Sequence, residues 1–159
     1  MIIGAAAAAA IGRVAAPTTQ VYSVNSADLN GSTMYYDYGN TASYEFSGSY
    51  TIGIWYKRVT PVTGSSILGR INNGTNAGLS LDDNGTTLAF THNNRGSSEG
   101  GYTQALVSAT ISDDTWYNVV VVFENGVSLR LYVDGVLQDT DTANNTPLVS
   151  NTQKFLVGS

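Results

Sequence analysis

The residues able to do chemistry are few and far apart. His92 is the only histidine and cysteine is absent, which removes two-histidine metal motifs, thiolate zinc sites and cysteine nucleophiles. Glycoside hydrolysis needs two carboxylates set across a scissile bond. Asp139 and Asp141 lie two positions apart and can share one face of a strand, but they follow a hairpin with no third acid beside them. They read as a solvated edge. No catalytic group is predicted, and the chain reads as a non-enzyme.

Oxygen ligands are better represented. Calcium takes carboxylates, amides and backbone carbonyls at loop tips, and Asp82, Asp83 and Asn84 form a partial set, with Asn72 or Asn73 as candidate neighbours. The same Asp-Asn-Gly run is also what a tight turn requires. Both readings stand: no cofactor is predicted unless it is calcium. A second candidate is the polar stretch HNNRGSSEGG, residues 92–101, in which His92, Asn93, Asn94, Arg95 and Glu99 can reach sugar hydroxyls or another protein. Long loops at a rigid rim are where binding commonly resides; the competing reading is an ordinary connection.

Charge narrows the partners. Seven basic against twelve acidic residues give a net charge of −5, scattered singly, so no basic footprint for a phosphate backbone is present and nucleic acid is not an expected partner. Charged residues make up 12% of the chain, about half the usual share. Asn, Thr, Ser, Gly and Tyr take their place, a mixture suited to strands and turns.

The elements follow from that mixture. A length of 159 residues suits one domain with its own core. From Gln20 onward turn signals recur at strand spacing with no helical periodicity, which predicts an all-β, antiparallel two-sheet jelly-roll sandwich. Predicted strands are QVYSVN, TMYYDY, YTIGIWYKR, SSILGRI, AGLSLDD, TTLAFTH, WYNVVVVFE, VSLRLYVD and KFLVG, with VLQD a short return. Asn84-Gly85, Asn125-Gly126 and Asp134-Gly135 are hairpin signals, because such pairs tolerate positive φ.

If Asn125-Gly126 closes a two-residue loop, Glu124 faces Val127. Val120, Val122, Leu129, Leu131 and Val133 then share the core face. The opposite face would carry Tyr117, Val119, Val121, Phe123, Arg130 and Tyr132, too apolar for a sheet washed by water. It is expected to be covered by a loop or arm, to meet another subunit, or to stack sugars through Tyr117 and Tyr132.

The first residues, MIIGAAAAAAIGRVAAPTTQ, differ in composition. Their only basic residue, Arg13, follows the apolar run instead of preceding it, and the run is far short of a membrane span. Residues 1–19 therefore read as a small-residue N-terminal arm. It lies on its own domain as a helix, contacts other protein subunits through Ile2, Ile3, Ile11 and Val14, or is an uncleaved signal.

LNGSTMYYDYGNTASYEFSGSYTIGIWYKRV, residues 29–59, resembles the opening of the laminin-G-like, concanavalin A-type jelly-roll modules. Trp116 followed by Leu129, Leu131, Tyr132, Val133, Asp134, Gly135 and Leu137 resembles that family's second block. The resemblance covers residues 20–159 and implies a module used for non-catalytic binding to glycans or proteins. The carboxylate triplet of the related glycosidases, Glu-x-Asp-x-x-Glu or Glu-x-Asp-x-Glu, is not found in the sequence. The family also implies one further strand after Ser159. Its place would be taken by chain beyond this stretch, by a neighbouring subunit, or by the N-terminal arm, since an open sheet edge invites pairing.

Two functions are expected. One is a structural or adhesive virion protein of a bacteriophage (capsid decoration, fibre or tail-associated) on an extracellular particle surface, assembling through its arm. The other is a free-standing, secreted carbohydrate-binding lectin-type module.

Overall fold

The computed structural model describes residues 2–4, 27–29, 34–40, 46–61, 63–72, 77–93, 104–142 and 153–158. Its strands are β1 (Ile2–Gly4), β2 (Ala27–Asp28), β3 (Tyr36–Asp37), β4 (Tyr50–Lys57), β5 (Thr63–Asn72), β6 (Ala77–Asn84), β7 (Thr87–Asn93), β8 (Gln104–Thr110), β9 (Trp116–Glu124), β10 (Ser128–Val133), β11 (Val136–Asp141) and β12 (Leu156–Val157). They form two six-stranded sheets, β11-β10-β9-β4-β1-β2 and β3-β12-β5-β6-β7-β8. Every strand pair is antiparallel. The predicted all-β sandwich is the observed fold, and no helix occurs among the described residues.

The core lies between the sheets. Tyr56, Val119, Val121, Phe123, Leu129, Leu131 and Val133 of the first sheet meet Ile67, Leu79, Leu81, Leu88, Phe90 and Val107 of the second. Alternation along β7 shows how the sequence sets this: Leu88, Phe90 and His92 are all fully buried, while the residues between them turn outward.

The predicted register of the β9–β10 hairpin is corrected by one residue. Val127 N–H donates to the Glu124 carbonyl at 2.9 Å, and Ser128, not Val127, pairs with Glu124. The loop therefore holds three residues, with Gly126 at φ +73°. Because side chains alternate with a period of two, this slip moves the whole of β9 to the other face. Val119, Val121 and Phe123 turn inward; Val120 and Val122 turn outward. The observed register buries the Phe123 ring, a gain of about 1.5–3 kcal/mol over leaving it exposed. Asp134 (φ +51°) and Gly135 (φ +78°) do close the expected two-residue turn, with Val133 opposite Val136.

Three strands, β1, β2 and β8, lie outside the sequence expectation. β8 was not predicted, and its backbone Ser108 N–H is capped by the Asp139 carboxylate at 2.9 Å. That contact makes Asp139 a tie between the two sheets instead of a solvated edge. β1 falls in the arm, where a helix was one expectation. Its residues pair with β4 (Ile2 with Lys57, Ile3 with Tyr56, Gly4 with Trp55) and with β2. The predicted strand over residues 20–25 lies outside the described residues.

Candidate functional site

The sequence-predicted site residues disperse. His92 is fully buried, stacked on Phe123 with ring centroids 4.0 Å apart at 16°, and its Nδ1 shares a hydrogen bond with the Tyr50 hydroxyl at 2.8 Å. It is a core residue and does not reach a ligand at a loop. Asn93 is buried beside it on the opposite face of β7. Asn94, Arg95 and Glu99 lie outside the described residues, as do Ile11 and Val14; Ile2 and Ile3 sit in β1.

The calcium set does not converge. Asp82 and Asp83 are consecutive in β6 and point to opposite faces of the sheet. Asp83 is buried, and its carboxylate is taken by Arg58 Nη1 at 2.7 Å, by the Tyr56 hydroxyl and by the Gly85 backbone N–H at 2.8 Å. Asp113 binds Arg58 Nε from the other side. Burial, reinforced by the Asp83 carboxylate, pushes the Tyr56 hydroxyl well above the usual phenol range. Asp82 accepts from Ser80 Oγ at 2.7 Å, and burial raises its pKa above the usual carboxylate value, opposed by the hydrogen bonds from Ser80 and Ser66. Asn84 is exposed at the turn. Among the described residues no group of three His, Cys, Asp or Glu side chains is placed to hold a metal ion.

Tyr117 and Tyr132 are separated as well. The corrected register turns Tyr117 inward, where its hydroxyl accepts from Ser112 N–H at 3.0 Å and its ring packs on the core. Tyr132 remains on the outer face of the first sheet, opposite Val120.

That outer face holds what the sequence reading missed. In β4 and β9, Trp55 lies opposite Asn118 and Lys57 opposite Trp116, so the two indoles occupy the diagonal of a four-residue block. Each tryptophan is 40% exposed. Beside the block, Gly53 lies opposite Val120; a Cβ at Gly53 would touch only Val120 Cγ2, at 3.8 Å. The surface next to the indoles is therefore low and open, with Tyr132 and the half-exposed Leu137 continuing it across β10 and β11. Lys57 is held by Asp114 at 3.4 Å, and the Asn118 backbone is fixed by Asp134, whose carboxylate accepts from Asn118 N–H and whose N–H donates to the Asn118 carbonyl. Aromatic rings offering an apolar face, flanked by amide and ammonium donors on a fixed backbone, suit a flat partly apolar ligand that also carries hydroxyls. The available signal was the strand alternation around Trp55 and Trp116, hidden by the misplaced register.

The chain belongs to the laminin G family described as the concanavalin A-like lectin/glucanases superfamily, whose model matches residues 30–159. No curated protein matches the sequence. Among solved structures it is similar to the binding domain of Paraclostridial Mosquitocidal Protein 1 (TM-score 0.63, 14% identity, 81% of this chain and 34% of that one). It is also similar to the botulinum neurotoxin serotype D binding domain (TM-score 0.60, 13% identity, 78% and 31%). A third likeness is to the binding domain of botulinum neurotoxin DC in complex with SialylT (TM-score 0.55, 17% identity, 70% and 28%). These likenesses are of fold, and the chain spans about a third of those chains. No helix of the described residues is long and apolar enough to cross a membrane.

Proposed function

We propose that this domain is a non-catalytic, lectin-type recognition module that stacks sugar rings on Trp55 and Trp116. The observation that carries this reading is the half-exposed indole pair on one diagonal of the β4–β9 ladder, with Gly53 leaving the adjoining surface open. A buried-core role would hide these rings. Family membership adds weight, and the same fold occurs in the receptor binding domain of botulinum neurotoxin D and in the binding domain of botulinum neurotoxin DC in complex with SialylT, both parts of longer chains. The test is a tryptophan-fluorescence titration with neutral oligosaccharides: saturable quenching or a blue shift supports the reading, and an unchanged spectrum across the panel contradicts it.

A second reading, a structural virion protein on an extracellular particle, is favoured by a different feature. Tyr36 in the terminal strand β3 of the second sheet, and Met34, Tyr35 and Tyr38 flanking it, are each about half exposed. Clustered large side chains on a sheet edge suit contact with further protein subunits, and residues 1–19 would add to that contact. The two readings are compatible, with assembly through one edge and display of the indole face. Localisation at a particle surface or as a secreted module follows from whichever holds. Neither reading requires calcium.

A further inference from the structure

Asn-Gly occurs four times in the chain, at Asn30, Asn73, Asn84 and Asn125. Asn84 and Asn125 lie among the described residues, each exposed at the end of a hairpin. The dipeptide is chemically reactive: the amide nitrogen that follows an asparagine can attack the side-chain carbonyl carbon, and a glycine there puts no side chain in the way. The fold treats the two sites differently.

At Asn84 the attacking nitrogen is held. Gly85 N–H donates to Asp83 Oδ1 at 2.8 Å, and that carboxylate is itself fixed by Arg58 Nη1 and the Tyr56 hydroxyl. Asn84 is also paired with Thr63 in the β5–β6 ladder, and a Cβ at Gly85 would lie 3.4 Å from Thr63 Cγ2, so the backbone has little room to swing. Asn125 lacks these restraints. Neither the Gly126 N–H nor the Asn125 carboxamide makes a hydrogen bond among the described residues, and nothing lies within 4 Å of a Cβ built on Gly126. The loop is anchored at its flanks, by Val127 N–H on the Glu124 carbonyl at 2.9 Å and by Asn125 N–H on Ser49 Oγ at 3.0 Å.

We infer that Asn125 is a site of spontaneous deamidation that weakens the β9–β10 hairpin, whereas Asn84 is protected by the Asp83–Gly85 hydrogen bond. The Gly126 nitrogen gives up its proton and bonds to Asn125 Cγ. The Cγ–Nδ2 bond breaks, and the leaving nitrogen takes up a proton and departs as ammonia, which closes a succinimide ring. Water then opens the ring. Addition at Cγ leaves an aspartyl residue; addition at the main-chain carbonyl leaves an isoaspartyl residue, with the chain now running through Cβ and Cγ. Only water is consumed. Either product places a new carboxylate one residue from Glu124, whose own carboxylate pairs with Arg130 Nη2. The isoaspartyl form also adds one atom to the loop that sets the β9–β10 register, on which burial of Phe123 depends.

The test incubates the whole chain at mildly alkaline pH, where the peptide nitrogen loses its proton more readily, and follows both sites by site-resolved peptide mass spectrometry. A parallel incubation in guanidinium chloride supplies the unfolded reference. In the folded chain Asn125 should convert at least about tenfold faster than Asn84, the factor expected when a hydrogen bond to a charged group must be given up before attack. In the unfolded chain the two rates should converge. The isoaspartyl fraction, isolated by anion exchange through its extra negative charge, should unfold at lower denaturant than both the parent and Asn125→Asp, which adds the charge without lengthening the chain. The inference is overturned if the two sites convert equally in the folded chain, if Asn84 converts faster, if the difference persists unchanged in guanidinium chloride, or if the isoaspartyl fraction unfolds at the same midpoint as Asn125→Asp.

Discussion

Arg58 and Asp83 bridge the two sheets: the guanidinium at the end of β4 meets the carboxylate of β6 at 2.7 Å, with the side chains 4% and 1% exposed. Removing Arg58 strands the Asp83 carboxylate in a dry site, whereas Arg58 without Asp83 keeps its pairing with Asp113. Arg58→Ala is expected to destabilise the domain by about 3–5 kcal/mol in urea unfolding. The double replacement Arg58→Met, Asp83→Leu should cost much less than the single change, because desolvation of the pair already offsets much of its attraction.

Because that carboxylate is committed, calcium has little to bind at Asp82–Asn84. A ligand that binds only the folded state raises stability by mass action. Melting curves in millimolar calcium and in excess chelator should therefore superimpose, whereas a calcium-dependent rise in Tm would restore the metal reading.

Tyr50 and His92 form a second inter-sheet tie. Burial pushes the Tyr50 hydroxyl far above the usual phenol range, so it stays a neutral hydroxyl against the ring. Tyr50→Phe is expected to cost about 1–3 kcal/mol by removing that bond inside the core, measured by the shift of the denaturation midpoint at unchanged slope.

Asp82 gives a signed pH dependence. Burial raises its folded pKa above the unfolded value of 3.8, so its stabilising effect is complete below that value and is lost as pH rises through the folded pKa. Between the two values the folded state binds more protons. Relative to Asp82→Asn, the parent should lose stability as pH rises from 3.8 toward neutrality; a difference that is flat, or that grows in the parent's favour, contradicts the burial argument.

Much of the fold was legible in residue order. Alternation in TTLAFTH and the paired turn residues Asp134-Gly135 led directly to β7 and to the β10–β11 hairpin. Asn125-Gly126 misled because that dipeptide fits either a two-residue or a three-residue loop, and the choice rests on where Phe123 packs, a tertiary matter. Gly126→Ala tests the loop as observed. A left-handed alanine costs about 1–2 kcal/mol, so the variant should unfold at lower denaturant.

The site was less legible for related reasons. His92 drew attention as the only histidine, yet its alternation with Leu88 and Phe90 places it in the core. Asp82 and Asp83 looked like one pair of ligands, although adjacent strand residues face opposite ways. Trp55 and Trp116 stand 61 residues apart by their numbering, and only the β4–β9 register brings them onto one face.

That face is tested most directly by isothermal titration of one responsive neutral oligosaccharide into the parent, Trp55→Ala and Trp116→Ala, with melting curves confirming that all three remain folded. Loss of a stacked ring typically removes about 1–3 kcal/mol by analogy with base stacking, so each variant should bind roughly tenfold or more weakly than the parent at comparable Tm. Undiminished binding by both folded variants would contradict the indole platform.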